Sequence, residues 1–295
     1  MAEGPVRYRT QHADSARWAG FGFRPGDIVI STRSRSGTTW MQMICALLIF
    51  QTPAFPAPLS ELSPWLDWLT IPRADVYATL SAQRHRRFIK THTPLDGIPL
   101  DARATYIVVA RHPLDMAVSL YHHYANLDVR RISHLARRPE PGPPAPMAPL
   151  HDWLLTWTSE DTTAQEHPDS LPGVMGHLRD AWSRQTEPNV LLVHYDDLSA
   201  DLDGEMRRVA GRLGIAVPDP IWPDLVQAAS FDSMRSRADY LAQGPPGILK
   251  DTAAFFRRGQ SGSARTVLTP DERARYRSRV TGMAPPDLLA WLHRE

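Results

Sequence analysis

A chain of 295 residues with 42% hydrophobic side chains can bury a sizeable core and fits one α/β unit with insertions. Its formal net charge of +1 supplies no global field toward nucleic acid or an anionic membrane, so any anion site has to be local. Cys45 is the single cysteine, which excludes an intrachain disulfide framework and a cysteine-based metal site, and fits a reducing compartment.

The N-terminal stretch MAEGPVRYRTQHADSARW is polar and has no apolar signal core. The longest apolar run, Ile44 to Phe50, is far too short to span a bilayer. The expectation is a cytoplasmic protein with neither a membrane nor a nucleic-acid partner. Lys90 and Lys250 are the only lysines; every other basic side chain apart from histidine is arginine.

GDIVIS, 26–31, predicts a buried strand, and TTWMQMICALLIF, 38–50, an apolar helix after the loop TRSRSGTTW, 32–40. The Pro-rich stretch 51–72, with Trp65 and Trp68, predicts irregular surface that is either packing or a pocket rim. RRFIKTH, 86–92, and ATYIVVARHP, 104–113, predict strands with polar ends, and LDMAVSLYHHYANL, 114–127, a helix. PEPGPPAPMAP, 139–149, predicts a flexible insertion or lid, because repeated proline blocks helix and ladder alike. NVLLVHYDDL, 189–198, predicts a strand. In 200–215, Leu202, Met206, Val209, Ala210 and Leu213 share a helical face. TPDERARYRSRV, 269–280, opens a helix with Thr269 as N-cap and Pro270 in its first turn. Alternating strands and helices predict one α/β domain, 1–295, with a central parallel sheet flanked by helices.

Ligands bind outside the carboxyl ends of the strands in such a sheet. Those ends carry Thr32 to Thr39, Lys90 with His92, Arg111 and Tyr195. In the first loop, the backbone N–H groups of Ser36, Gly37, Thr38 and Thr39 lie at a helix N-terminus, which favours an anion. Arg35 adds charge, and Trp40 a flat face for a ring. An ordinary βα turn with capping threonines is the alternative. Lys90 and His92 alternate onto one side of a strand. There a lysine is a compact charge and a histidine a proton acceptor, unless His92 is simply a core or surface histidine. Arg111 and Ser119 are placed to reach one phosphate from two sides, unless Arg111 pairs with Asp115.

These segments together resemble the cytosolic sulfotransferase family. TRSRSGTTW is similar to its 5′-phosphosulfate loop T-Y-P-K-S-G-T-T-W, FIKTH to its K-x-H element, and RHPLDMAVS to its R-(x)7-S 3′-phosphate motif. SFDSM, 230–234, and FFRRGQSG, 255–262, look like its two C-terminal nucleotide segments. The resemblance spans about residues 27–270. It implies the P-loop-like sulfotransferase fold and transfer of a sulfuryl group from 3′-phosphoadenylyl sulfate (PAPS) to an acceptor hydroxyl, releasing adenosine 3′,5′-bisphosphate (PAP), with no metal.

Carried over by position, the resemblance puts Arg35, Ser36, Gly37, Thr38 and Thr39 around the phosphosulfate and Trp40 near adenine. Arg111, Ser119, Arg257, Arg258 and Gly259 would hold the 3′-phosphate. Tyr195, Ser230, Phe231, Met234 and Phe256 complete the nucleotide pocket. Lys90 and Arg35 serve the leaving group, and His92 is the base. The loop departs from the family pattern at Arg33, Ser34 and Arg35, where Tyr, Pro and Lys are usual, and further departures are Ala229, Ala264 and Arg265. The family's dimerisation motif is not legible, which leaves monomer and homodimer open.

Trp65, Trp68, Tyr121, His122, His123 and Tyr124 are candidates to line an apolar acceptor cleft for a phenol or a hydroxylated hydrophobic small molecule. Trp153, Trp157, Trp182 and Trp222 read as helix-to-sheet packing. Two rivals remain at this stage: a P-loop small-molecule kinase and a PAP-binding module with impaired catalysis.

Overall fold

Four short runs rich in β-branched residues lie side by side: Ile28–Thr32 (β1), Phe88–Thr91 (β2), Thr105–Ala110 (β3) and Val190–His194 (β4). All pair in parallel, in the order β2-β1-β3-β4. The protein was analysed as a computed structural model that describes residues 4–294 apart from 140, 143–145, 242–246, 258 and 260.

Helices fill the crossovers. Between β1 and β2 lie α1 (Thr38–Phe50), α2 (Leu59–Leu62) and α3 (Arg73–Ala82). Between β3 and β4 lie α4 (Pro113–Asn126), α5 (Val129–Leu135), α6 (Leu150–Ser159) and α7 (Leu171–Ser183). After β4 come α8 (Tyr195–Ala200), α9 (Leu202–Leu213), α10 (Trp222–Ala229), α11 (Phe231–Ser236) and α12 (Ala238–Leu241). The chain then closes with α13 (Pro270–Thr281) and α14 (Pro286–His293).

Alternation along each strand divides the core in two. Val29, Ile89, Tyr106 and Val108 face α4, α6, α7, α13 and α14 through Met116, Leu154, Met175, Val280 and Leu288. Ile28, Ile30, Phe88, Ile107 and Val193 face α1, α9 and α10 through Ile44, Met206 and Leu225. Both faces are covered, as a parallel sheet requires, which is why β1 is buried at every residue. Each aliphatic side chain so buried contributes roughly 1.5–3 kcal/mol.

The predicted strand 189–198 stops at His194. There the imidazole Nδ1 accepts from Asp196 N at 3.1 Å and caps α8, so Tyr195 starts a helix instead of ending a strand. The predicted strand 86–92 contracts to Phe88–Thr91, leaving His92 one residue beyond the ladder. On α9, Met206, Val209, Ala210 and Leu213 are buried, whereas Leu202 packs only at the edge of the core. At α13 the Thr269 side chain accepts from Glu272 N, and Glu272 accepts from Thr269 N at 2.8 Å. Within the Pro-rich insertion, 140 and 143–145 lie outside the described residues; Ala148 O accepts from the Tyr121 hydroxyl, and Pro149 precedes α6. Among the described residues no helix is long and apolar enough to cross a membrane.

The order β2-β1-β3 sends the chain from β1 to one side and then to the other. The crevice above the carboxyl ends of β1 and β3 is therefore the switch point at which such sheets take ligands. Beneath it the register is pinned by Arg87, whose Nε donates to Asp27 Oδ1 at 2.8 Å; the two side chains are 3% and 2% exposed. Asp27 Oδ2 also accepts from Arg24 N at 2.8 Å. Arg87→Ala leaves the Asp27 charge buried without its counter-ion, and a loss of about 3–5 kcal/mol in urea unfolding is expected.

Candidate functional site

A cavity of about 1060 Å³ opens at that switch point. Its walls come from the loop after β1, from Lys90 and His92 after β2, from Arg111 after β3, and from Tyr195 after β4. Helices α1, α4, α6 and α11 and the residues Phe255, Phe256, Arg257 and Gly259 also line it.

The loop after β1 is shaped by two left-handed residues, Arg35 (φ 63°) and Gly37 (φ 103°). A Cβ on Gly37 would stand 3.1 Å from the Tyr195 ring and 3.4 Å from Val109, so the ring would have to give way, and the positive φ favours glycine there as well. Gly37 is also the N-cap of α1 and offers no side-chain acceptor. The first-turn N–H groups of Thr38, Thr39 and Trp40 thus have neither a cap nor an intrahelical carbonyl, and all three residues line the cavity. With the helix dipole behind them they form a site for an anion.

Three arginines converge on the same space. Arg35 Nε donates to Ser119 Oγ at 3.1 Å, Nη2 donates to Phe255 O at 2.7 Å, and the guanidinium lies 4.5 Å over the Phe255 ring. Desolvation, with Arg111 and Arg257 nearby, pushes the Arg35 pKa down to about 10. Arg111 lies 4.2 Å over Tyr195 and donates to Arg35 O at 3.2 Å. Asp115 instead accepts from the backbone of Gly262 and Ala264 at 2.7 and 3.2 Å, which fastens the C-terminal segment to α4. Trp40 donates its indole N–H to Ala229 O at 2.8 Å and meets Tyr195 edge-on at 5.2 Å. Opposite, Phe231 lies so close to Gly259 (φ 63°) that a Cβ would come within 2.5 Å of the ring.

The second end of the cavity carries the titrating groups. Lys90 Nζ stands 4.4 Å over Trp65, and the His92 ring meets the same indole edge-on at 4.7 Å. Burial, opposed by Asp67 and reinforced by Arg35, pushes the Lys90 pKa down to about 8. His92 Nδ1 lies 2.5 Å from Thr32 O. A carbonyl only accepts, so Nδ1 carries the proton and Nε2 keeps its lone pair. Desolvation, then Lys90 and Arg33, hold the imidazole well below its usual pKa, against the opposing pull of Asp169 and the bond to Thr32. The intervening Thr91 and the following Thr93 both donate to Asp67 Oδ2.

Trp65 and Trp68 stack at 5.2 Å with an 11° tilt and line the outer cavity. On α4 the lining residues are Ser119, Leu120, His123 and Tyr124, one face of the helix, followed by its C-cap Leu127. Tyr121 and His122 fall off that face, contrary to expectation. Tyr121 donates to Ala148 O at 2.9 Å and packs edge-on against Trp153, and His122 packs on Tyr121. Ser230 also stands off the wall, because its hydroxyl caps α11 by accepting from Ser233 N. Ser36 is buried in the loop turn, with its N–H on Arg33 O. Arg258 lies outside the described residues.

The wall also holds residues to which sequence reasoning gave no site role, Asp67, Asp169, Trp153 and Trp157, and others it placed in ligand-binding segments without a role of their own, Arg33, Ser34 and Phe255. Their partners lie up to 220 positions away in the chain, and no local signal marks them. Among the described residues no group of His, Cys, Asp or Glu is arranged to hold a metal ion. Burial pushes the Cys45 thiol up to about 12, so it is no nucleophile.

The profile of the family described as "Sulfotransferase domain" matches residues 25–282. A protein of Mycobacterium bovis named glycolipid sulfotransferase is 44% identical over 307 aligned positions, covering 98% of this chain and 94% of that protein. Sulfotransferase 1A1 of Canis lupus familiaris is 28% identical over 265 positions, covering 87% and 82%. Among solved structures, retinol dehydratase in complex with androsterone and inactive cofactor PAP superposes with a TM-score of 0.66 at 20% identity, covering 91% of this chain and 83% of that one.

Gly37→Ala introduces a methyl group at a positive φ against Tyr195. A cost of about 1–3 kcal/mol in chemical denaturation is expected, together with weaker PAP binding by calorimetry. Unchanged values for both would show that the loop tolerates a Cβ.

Proposed function

The chain belongs to the sulfotransferase family and is a sulfotransferase; we propose that it sulfates a hydroxyl of a large, hydrophobic acceptor, with His92 as general base. PAPS is the sulfuryl donor and PAP the product. One observation carries the reading: His92 Nε2, with its lone pair free of the proton, shares a wall with Lys90 beside the open N-terminus of α1.

The chain's own groups divide the work. The first-turn N–H groups of α1 and the arginines hold the two anionic ends of the donor. Arg35 and Lys90 bring positive charge to the bridging oxygen, where charge gathers as its bond to sulfur breaks. His92 Nε2 takes the acceptor proton as the acceptor oxygen bonds to sulfur in line, and the bridging oxygen leaves on PAP. Nδ1–H stays on Thr32 O throughout and keeps the ring aimed. Positioning and preorganised cations supply most of the rate.

The stacked Trp65 and Trp68, with His123, Tyr124, Leu127, Trp153 and Trp157, form an aromatic acceptor chamber. An aromatic, largely apolar lining beyond the donor site suits a hydrophobic alcohol, in keeping with the name of the mycobacterial relative. The kinase reading is not favoured. Asp101 pairs with Arg103, Asp196 accepts from Ser261, and neither carboxylate lines the cavity.

Labelled sulfate transfer from PAPS to a panel of hydroxylated lipids and phenols tests the activity. Magnesium-dependent phosphoryl transfer from ATP, with no sulfate transfer, is the contrary result. In the same assay His92→Ala is expected to slow turnover roughly 10²- to 10⁴-fold while PAP still binds; wild-type turnover removes His92 from the role.

The pH profile of kcat/KM follows from the free-enzyme pKa values. His92 works when neutral, so activity falls only below a pH lying under the usual histidine value of about 6.5. Lys90 works when charged, so activity also falls as pH rises through about 8. Lys90→Arg is expected to abolish that alkaline limb, and an alkaline limb unmoved in the variant assigns it to another group.

A further inference from the structure

Arg33 and Ser34 stand where the resembled loop carries Tyr and Pro, and one carboxylate engages both. Arg33 Nη2 pairs with Asp169 Oδ1 at 2.7 Å, and Ser34 Oγ donates to Asp169 Oδ2 at 2.8 Å. The other guanidinium nitrogen, Arg33 Nη1, donates to the backbone carbonyl of His92. The Arg33 side chain is 4% exposed and that of Asp169 23%, and both residues line the cavity.

The carboxylate is mounted on fixed supports. Trp157 donates its indole N–H to Asp169 O at 2.9 Å, and the next residue, Ser170, caps α7 by accepting from Gly173 N. Asp169 therefore reaches from the rim of α7 to the donor loop, and through one planar guanidinium to the main chain of the base. Such a planar fork holds its two bonds in fixed directions, which the rotatable ammonium of a lysine does not.

We propose that Asp169 is a positioning residue for sulfuryl transfer: through Arg33 and Ser34 it locks the donor loop to the main chain of His92, and it supplies the negative charge facing the imidazolium that forms. This rests on His92 being the base. The charged groups facing His92 are Lys90, Arg33 and Asp169, two cations and one anion. When Nε2 takes the acceptor proton the ring becomes a third cation, and Asp169 is the group of opposite sign beside it. The brace thus acts on geometry before the transfer and on charge during it.

The test compares Asp169→Asn, Asp169→Glu and the charge-free pair Arg33→Met/Asp169→Leu, each also combined with His92→Ala. Sulfate transfer from PAPS is followed across pH and PAP binding by calorimetry. Asp169→Asn is expected to lower kcat roughly 10- to 100-fold, with little change in PAP affinity, and to move the acid limb to lower pH. Asp169→Glu is expected to recover the limb and most of the rate. The double replacement, which leaves no unpaired buried charge, keeps the chain folded and is expected to lose kcat as well.

On the His92→Ala background Asp169→Asn is expected to cost nothing further, because groups acting as one unit do not multiply. An unmoved acid limb in Asp169→Asn, or losses that multiply with His92→Ala, beside a slow His92→Ala variant, overturns the role of Asp169 alone. Wild-type turnover in His92→Ala overturns the base assignment instead.

Discussion

The hydrogen bond from His92 Nδ1 to the carbonyl of Thr32 is the contact on which the site depends. One end is the last residue of β1 and the other the first residue after β2, so the ladder beneath sets their distance. Ile30 pairs with Lys90 and Ser31 with Thr91, so the next step brings His92 beside the last residue of β1. The same carbonyl precedes the loop that wraps the anion site. One backbone oxygen therefore fixes the tautomer of the imidazole, its direction and its distance from the donor loop. Nothing on the imidazole itself could do all three.

Around that contact the cavity gathers positive charge. Arg35, Arg111 and Arg257 meet at one end, and Lys90 faces His92 at the other. Two like charges about 5 Å apart repel by about 3 kcal/mol at an effective dielectric constant of about 20, and burial adds to the cost. Desolvation is the leading cause of the depressed pKa of Arg35 and of Lys90, with the neighbouring cations adding to it. An anion bearing charge at both ends relieves this repulsion on binding. The binding free energy and the catalytic cations are in this way the same groups. The neutral imidazole follows first from burial and then from the same field, because Lys90 and Arg33 both disfavour its protonated form.

Much of this was legible in the sequence where the signal is local. GDIVIS followed by a glycine loop and an apolar run marks β1 and α1, and Thr269-Pro270 marks the start of α13. Lys90 and His92 come together because side chains alternate along extended chain. The rest was hidden where distant residues decide. The strand reading of 189–198 failed at His194, since its cap on α8 overrides the apolar run. Helices α3, α6, α7 and α14 carry little outward signal, and prolines at or beside their starts read as breakers until the fold makes them helix starts. Tyr121 and His122 were plausible lining residues by composition alone. Only the orientation of α4 separates them from the other two candidates there, His123 and Tyr124, which do face the cavity. Arg33 and Asp169 lie 136 positions apart, so neither announces the other.

The most direct measurement is the nitrogen NMR spectrum of the free enzyme with labelled histidine, the His92 signals assigned by their loss in His92→Ala. At neutral pH the expected result is a protonated Nδ1 and an unprotonated, pyridine-type Nε2. An imidazolium at that pH, or a neutral ring with the proton on Nε2, would contradict a base aimed into the cavity by the Thr32 carbonyl.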